Sequence, residues 1–264
     1  MKKTLTALAV AASAMASGAA MAGWVPNGLG GELKLSGELT PADHVTPWEV
    51  MVGDAVTGLD APVKKGQKIA EIKVKKSIPV LGIRTQSNEP FKGTSGISPQ
   101  IDFGGALGEF GENNEGGLAK LTLDVKNPEG NKIGKLVTGL KAAAVYTYDA
   151  QNVKQHRPMF ASASGKGFYG GLAKSGDKVH LYADSFATNH FPEANINFNK
   201  QNKPEAEYKS PDQSTFGYNN AKYSAFYASA IENGRALNII LDNPVSGDDK
   251  IQWNASLPVV VSYM

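Results

Sequence analysis

Gly165-Lys166-Gly167-Phe168-Tyr169-Gly170 spells G-x-G-x-x-G, the spacing at which glycines let a backbone approach a pyrophosphate. That chemistry needs a strand before the motif and a helix after it. Here Ala161 to Ser164 precede it and Gly171 to Gly176 follow, so the stretch reads as a flexible loop. Gly93-Thr94-Ser95-Gly96-Ile97 lacks the last glycine of a nucleophile elbow and is likewise read as a loop. The four histidines, His44, His156, His180 and His190, have no metal-ligand spacing such as H-E-x-x-H. Carboxylates are scattered. Asp248 with Asp249, or Glu49 with Asp54, could meet in space, but no spacing argues for a paired acid and base. There is no cysteine, which excludes thiol catalysis, cysteine-rich metal sites and redox function. No catalytic residue, metal site or cofactor is expected. Rings such as Tyr146, Tyr148, Phe168, Tyr169, Tyr182, Tyr218 and Tyr223 lie near Asn, Asp and Arg, as in sugar sites, yet β-strands are rich in Tyr and Phe for packing alone.

The elements that would position any such group begin after an export signal. Lys2 and Lys3, an apolar stretch from Leu5 to Met15, and Ala20-Met21-Ala22 form the three parts of a secretory signal, with cleavage before Gly23. Removing residues 1–22 leaves about 240 residues, enough to bury a sizeable core without disulfides. It also removes Lys2 and Lys3 from the 27 basic residues, which then equal the 25 acidic ones. A neutral chain argues against nucleic acid as a partner and lacks the self-repulsion that would oppose packing against copies of itself.

Leu29, Gly31, Leu33, Leu35, Gly37 and Leu39 share one face of a period-two stretch whose other face is Gly30, Glu32, Lys34, Ser36 and Glu38. A half-buried strand follows from that pattern, free to pair with its own domain or a neighbour's. Alternation recurs at Trp48, Val50 and Val52, at Ala70, Ile72 and Val74, and at Ala119, Leu121, Leu123 and Val125. Asn127-Pro128-Glu129-Gly130-Asn131 is a turn cluster, and the apolar run resuming at Ile133 predicts a hairpin. Further strands are expected near Lys178 to Ala183, Tyr223 to Ser229, Ala236 to Leu241 and Leu257 to Tyr263. Helical signals are scarce. With 29 Gly and 14 Pro between short strands, an all-β sandwich is the natural class. The polar stretch around residues 151–220 reads as a surface insertion, its apolar residues too sparse for a separate core.

Both ends and the middle resemble one family. Trp24 to Gly28, Leu33 to Asp43 and Trp48 to Gly53 are similar to the mature N-terminus of the Fae-type fimbrial subunits, assembled by the chaperone/usher pathway. Lys126 to Gly134, Phe168 to Leu172, Ala230 to Gly234 and Gln252 to Tyr263 continue the similarity. The resemblance implies an incomplete immunoglobulin-like sandwich whose missing strand leaves an apolar groove beside the C-terminal strand. Leu257, Val259, Val261 and Tyr263 alternate toward one face there. A periplasmic pilus chaperone would fill the groove first, and at the outer-membrane usher another fimbrial subunit's Leu29 to Leu39 would replace it by donor-strand exchange. Burying Leu29, Leu33, Leu35 and Leu39 at about 1.5 to 3 kcal/mol each offers roughly 6 to 12 kcal/mol before ordering costs.

The implied layout is a signal peptide at 1–22, an N-terminal donor-strand extension at 23–40, and a pilin domain at 41–264 with its insertion around 151–220. Two departures stand out: the chain ends in Met264 rather than an aromatic, and Ile251 stands where a glycine is expected. Gln151 to Asp212 matches least and is shorter than in the family's major subunit, which carries its receptor-binding surface there. The chain therefore reads as a structural, minor subunit exported through the periplasm to a fimbrium on the bacterial surface. The alternative is an adhesin binding a host glycan through residues 151–220. An outer-membrane barrel also alternates and ends in an aromatic strand, but here charged residues recur on both faces of several strands.

Overall fold

The computed structural model describes residues 26–27, 33, 35–38, 45–151, 153–202 and 210–264. The chain divides into a unit at 1–44 and a unit at 45–264. In the first, Pro26 and Asn27 form a turn, and Leu33 and Leu35 are exposed without regular secondary structure. The signal and its cleavage residues Ala20, Ala22 and Gly23 lie outside the described residues, as do Leu29, Gly31 and Leu39.

The second unit is all-β. Its strands are β1 (Trp48–Val52), β2 (Ile69–Lys73), β3 (Ile78–Thr85), β4 (Phe91–Lys92), β5 (Pro99–Asp102), β6 (Leu107–Phe110), β7 (Leu118–Lys126), β8 (Lys132–Ala150), β9 (Val153–Pro158), β10 (Lys222–Ile231), β11 (Ala236–Leu241), β12 (Asn254–Ala255) and β13 (Val260–Tyr263). One helix, α1 (Ala183–His190), and three single 3-10 turns complete the described elements. Every strand pairing is antiparallel, with the sheet order β1-β3-β10-β8-β11-β2.

The strand β8 organises this sheet. Its first half lies between β7 and β11, and its second half between β10 and β9. At 19 residues it would run about 60 Å if straight, so it serves both layers of the sandwich as the twisted sheet folds over. The predicted hairpin joins β7 to β8, where Gly130 takes a left-handed φ of 84° and Asn131 N donates to Asn127 Oδ1 at 2.8 Å.

Burial explains which strands alternate. The strands β2 and β7 bury one face, with Ala70 and Ile72 (and Val74 just past β2), then Ala119, Leu121 and Val125, inside. By contrast β10 is buried on both faces. Tyr223, Ala225 and Tyr227 enter the main core, while Phe226, Ala228 and Ala230 lie under α1 and the turn at Pro192–Asn195. The same holds for Ala142, Ala144 and Tyr146 against Ala143 and Val145 on β8.

Two expectations need correction. Lys178 to Ala183 is no strand: a 3-10 turn ends at Lys178 and α1 starts at Ala183. Its alternation arises because the chain crosses between layers, burying Val179 in the main core and Ala183 in the outer one. On β1, Trp48 is buried, but Val50 and Val52 are exposed, because among the described strands this edge strand pairs only with β3. The stretch 151–220 also reaches further inward than a surface layer, since Met159, Phe168 and Phe216 are fully buried in the main core.

Candidate functional site

An apolar trough opens between two extended segments at the edge of the sandwich. One bank follows β1 from Val52 to Asp60, and the other is the C-terminal segment from Gln252 to Val259. Between them lies a cavity of about 1020 Å³ floored by Ile78, Val80, Leu121, Leu123, Leu136, Ile231 and Leu237. Past Asp60 and Trp253, which line both compartments, it continues into about 600 Å³ over Ala70, Ile72, Ile239 and Leu241.

The far end is tied shut. Gly66 N donates to Val245 O at 2.8 Å, Val245 N donates to Gln67 O at 3.0 Å, and Lys65 Nζ pairs with Asp248 Oδ1 at 2.6 Å. Along the open length no backbone hydrogen bond among the described residues joins the banks. Gly53 N still bonds to Val80 O, but among the described residues Asp54 to Val63 make no backbone hydrogen bond. Amides and carbonyls above an apolar floor are what an edge strand presents to another chain.

The second bank leads into the C-terminal strand. The register of β13 on β5 runs from Val260 opposite Asp102 to Tyr263 opposite Pro99, and Ser98 and Met264 exchange backbone bonds of 3.0 and 3.1 Å beyond it. Trp253, Ala255, Leu257, Val259, Val261 and Tyr263 are all half-buried against the core, and the residues between them are exposed. Of the described strands, only β5 lies beside β13.

The glycine-rich loop that spells a nucleotide motif braces this strand pair instead. Phe168 N donates to Pro99 O at 2.7 Å, and Ile101 N donates to Tyr169 O at 2.8 Å. Gly170 sits at φ 87°, where a Cβ would fall 1.9 Å from Ile101 O, so only glycine permits the approach. Phe168 itself is buried among Trp48, Phe216 and Tyr227. Trp48 is anchored by Nε1 donating to Ile97 O at 2.6 Å, next to the second loop motif.

The other candidate groups are dispersed. Asp248 pairs with Lys65 and Glu49 with Arg84. Tyr146 Oη donates to Asp212 at 2.8 Å, and its burial, with that carboxylate, holds the phenol well above its ordinary range. His156, His180 and His190 gather around α1 rather than the trough, and His44 lies outside the described residues. No group of three or more His, Asp or Glu among the described residues is placed to hold a metal.

Sequence reasoning missed the first bank beyond Val52 and, on the floor, Ile78, Val80 and Ile231. Leu59, Ala61 and Val63 are half-buried while Asp60, Pro62 and Lys64 are exposed, a period-two signal short enough to pass unnoticed before Gly66.

The described residues thus form an all-β sandwich with an apolar, strand-shaped trough at its edge. Residues 1–264 match the family described as "Fimbrial, major and minor subunit". Over the full length of both chains, the sequence is 30% identical to K88 fimbrial protein AC and 32% identical to K88 fimbrial protein AD, both of Escherichia coli. K88 fimbrial protein AB of the same organism is 30% identical, also end to end. The chain belongs to the K88 fimbrial subunit family, as its resemblance to Fae-type subunits implied. It is a structural fimbrial subunit, exported to the cell surface, where it associates with other fimbrial subunits.

Proposed function

We propose that the trough is the acceptor for a donated strand and that this subunit polymerises by donor-strand exchange. One observation carries the reading: among the described residues, the bank from Asp54 to Val63 has no backbone hydrogen-bond partner, directly above an apolar floor. Such an edge stays soluble only when another chain covers it. A periplasmic chaperone supplies the first cover beside Leu257, Val259, Val261 and Tyr263. At the outer-membrane usher, the Leu29 to Leu39 strand of another subunit replaces it. An 11-residue strand spans about 36 Å, close to the ~33 Å of the ten-residue bank. In this reading residues 1–22 are a signal peptide cut before Gly23, residues 23–40 the donor extension, and residues 41–264 the pilin domain. The role is structural rather than catalytic, and the subunit is a minor component of its fibre.

The test is Leu33→Asp or Leu35→Asp. An unpaired carboxylate on the trough floor costs several kcal/mol, so export and chaperone capture should persist while incorporation into sheared fibres stops. Normal incorporation of both variants would sink the assignment.

A second reading, binding of a host glycan through residues 151–220, has one observation in its favour. Tyr169, Lys174, Ser175 and Lys178 face Leu107 and Phe110 across a cleft of about 500 Å³, an apolar and hydroxyl-bonding combination suited to a sugar. Glycan-array binding by the folded monomer separates the two readings.

A further inference from the structure

Three of the chain's four histidines converge on one eight-residue helix. Helix α1 and the turn after it form a thin outer layer, laying Phe186, Ala187, Phe191 and Ala194 on a sheet face built of Ala143, Val145, Phe226, Ala228 and Ala230. The layer is only one short helix and one turn deep, so the polar contacts at its two ends add to the hold of this apolar seam. At one end His156 Nε2 lies 3.7 Å from Asp184 Oδ2. At the other, His190 Nδ1 meets Ser77 Oγ at 2.8 Å and Nε2 lies 3.5 Å from Glu232 Oε1. The Phe186 ring is flanked by His180 at 5.5 Å and His190 at 5.0 Å between centroids.

Behind His180 lies a balanced charge cluster. Lys141 Nζ is 2.5 Å from Glu115 and 3.5 Å from Glu232, and Arg235 Nη2 is 2.6 Å from Glu115 and 2.7 Å from Glu232. Both carboxylates are thus committed to cations already. His180 is pressed into place by the backbone, since a Cβ on Gly117 would fall 2.7 Å from the His180 Cβ.

We propose that α1 and the turn following it are an acid-releasable layer on the sandwich, opened by protonation of His180. A proton there adds a third positive charge beside Lys141 and Arg235, with His190 across the Phe186 ring. Among the described groups that face it, the shared carboxylates of Glu115 and Glu232 oppose it, and the Tyr182 ring lies 6.3 Å from the imidazole between centroids. Burial first, then Lys141, push the imidazole down to about 4 from its ordinary 6.5. A depressed histidine binds its proton more readily when the layer is open. The layer's stability is therefore complete above about pH 6.5 and declines as the pH falls toward 4. This device does not depend on what fills the trough.

Hydrogen exchange of the full mature chain, followed by mass spectrometry from pH 7.5 to 4.5 and corrected for intrinsic rates, tests it. Protection of residues 183–195 should fall about tenfold by pH 5.5 and further toward pH 4.5, while β10 peptides keep theirs. His180→Phe, which fills the same apolar seat without a titrating group, should abolish the loss. If that variant does not fold, proton NMR titration of the His180 ring in the unaltered chain decides: a midpoint near or above 6.5 overturns the proposal. So does unchanged α1 protection, loss concurrent with β10, or an acid loss that persists in His180→Phe.

Discussion

Phe216 packs against the rings of Trp48, Phe91, Phe168, Tyr146 and Tyr223, with centroids between 5.1 and 6.4 Å, and is fully buried. Edge-on contacts of this kind add to the area term, so Phe216→Ala should lower stability by about 3 to 5 kcal/mol. A denaturant midpoint for the fibre-free subunit checks it, and a change below about 1 kcal/mol would show that the cluster is not the centre of the core. Neither Phe216 nor Phe168 was legible as core in the sequence. Phe216 stands between Thr215 and Gly217 and Phe168 sits beside Tyr169 in a glycine-rich loop, neither of which shows a period, and both enter the interior because their loops are pinned to distant segments. Trp48 was legible as the start of an alternating strand, though not as the anchor of that cluster.

Among the elements, legibility followed how many faces were buried. The bounds expected for β11 are those found, and β7 and the hairpin after it stand where alternation and turn chemistry placed them. No expectation marked β3, because four successive residues from Val80 to Ile83 are buried and a strand covered on both sides loses its period. Helix α1 was missed because Asp184, Ser185, Thr188 and Asn189 are poor helix formers, and packing rather than propensity holds it. The C-terminal alternation was legible, and the place of its strand against β5 makes a prediction. Deleting Val261 to Met264 removes most of the β13 ladder and both Ser98–Met264 bonds, leaving β5 and the apolar residues around Ile101 uncovered. The truncated chain should aggregate or be degraded in the periplasm, and recovery of a soluble chaperone complex would contradict this.

On the scale of the whole molecule, the apolar trough and the period-two stretch at the N-terminus pose one question: whether the sandwich is complete without a donated strand. The sequence supplied the stretch and the C-terminal bank, while the first bank and the floor emerged only when β3, β7, β8, β10 and β11 were brought together. Moving Gly23 to Thr40 behind Met264 through a flexible linker should make a self-complemented monomer. The linked strand acts at an effective concentration in the millimolar range, so intramolecular pairing outcompetes assembly. Covering the bank from Asp54 to Val63 satisfies its backbone and buries the floor beneath it. The rearranged chain should therefore withstand heat and denaturant far better than the chain from Ala42 to Met264 alone, and should not polymerise. Thermal unfolding and light scattering of the two proteins side by side give the answer. Equal stability of the strandless chain would mean that the sandwich needs no donor, that Leu29 to Leu39 is an ordinary arm, and that these subunits join by some other surface.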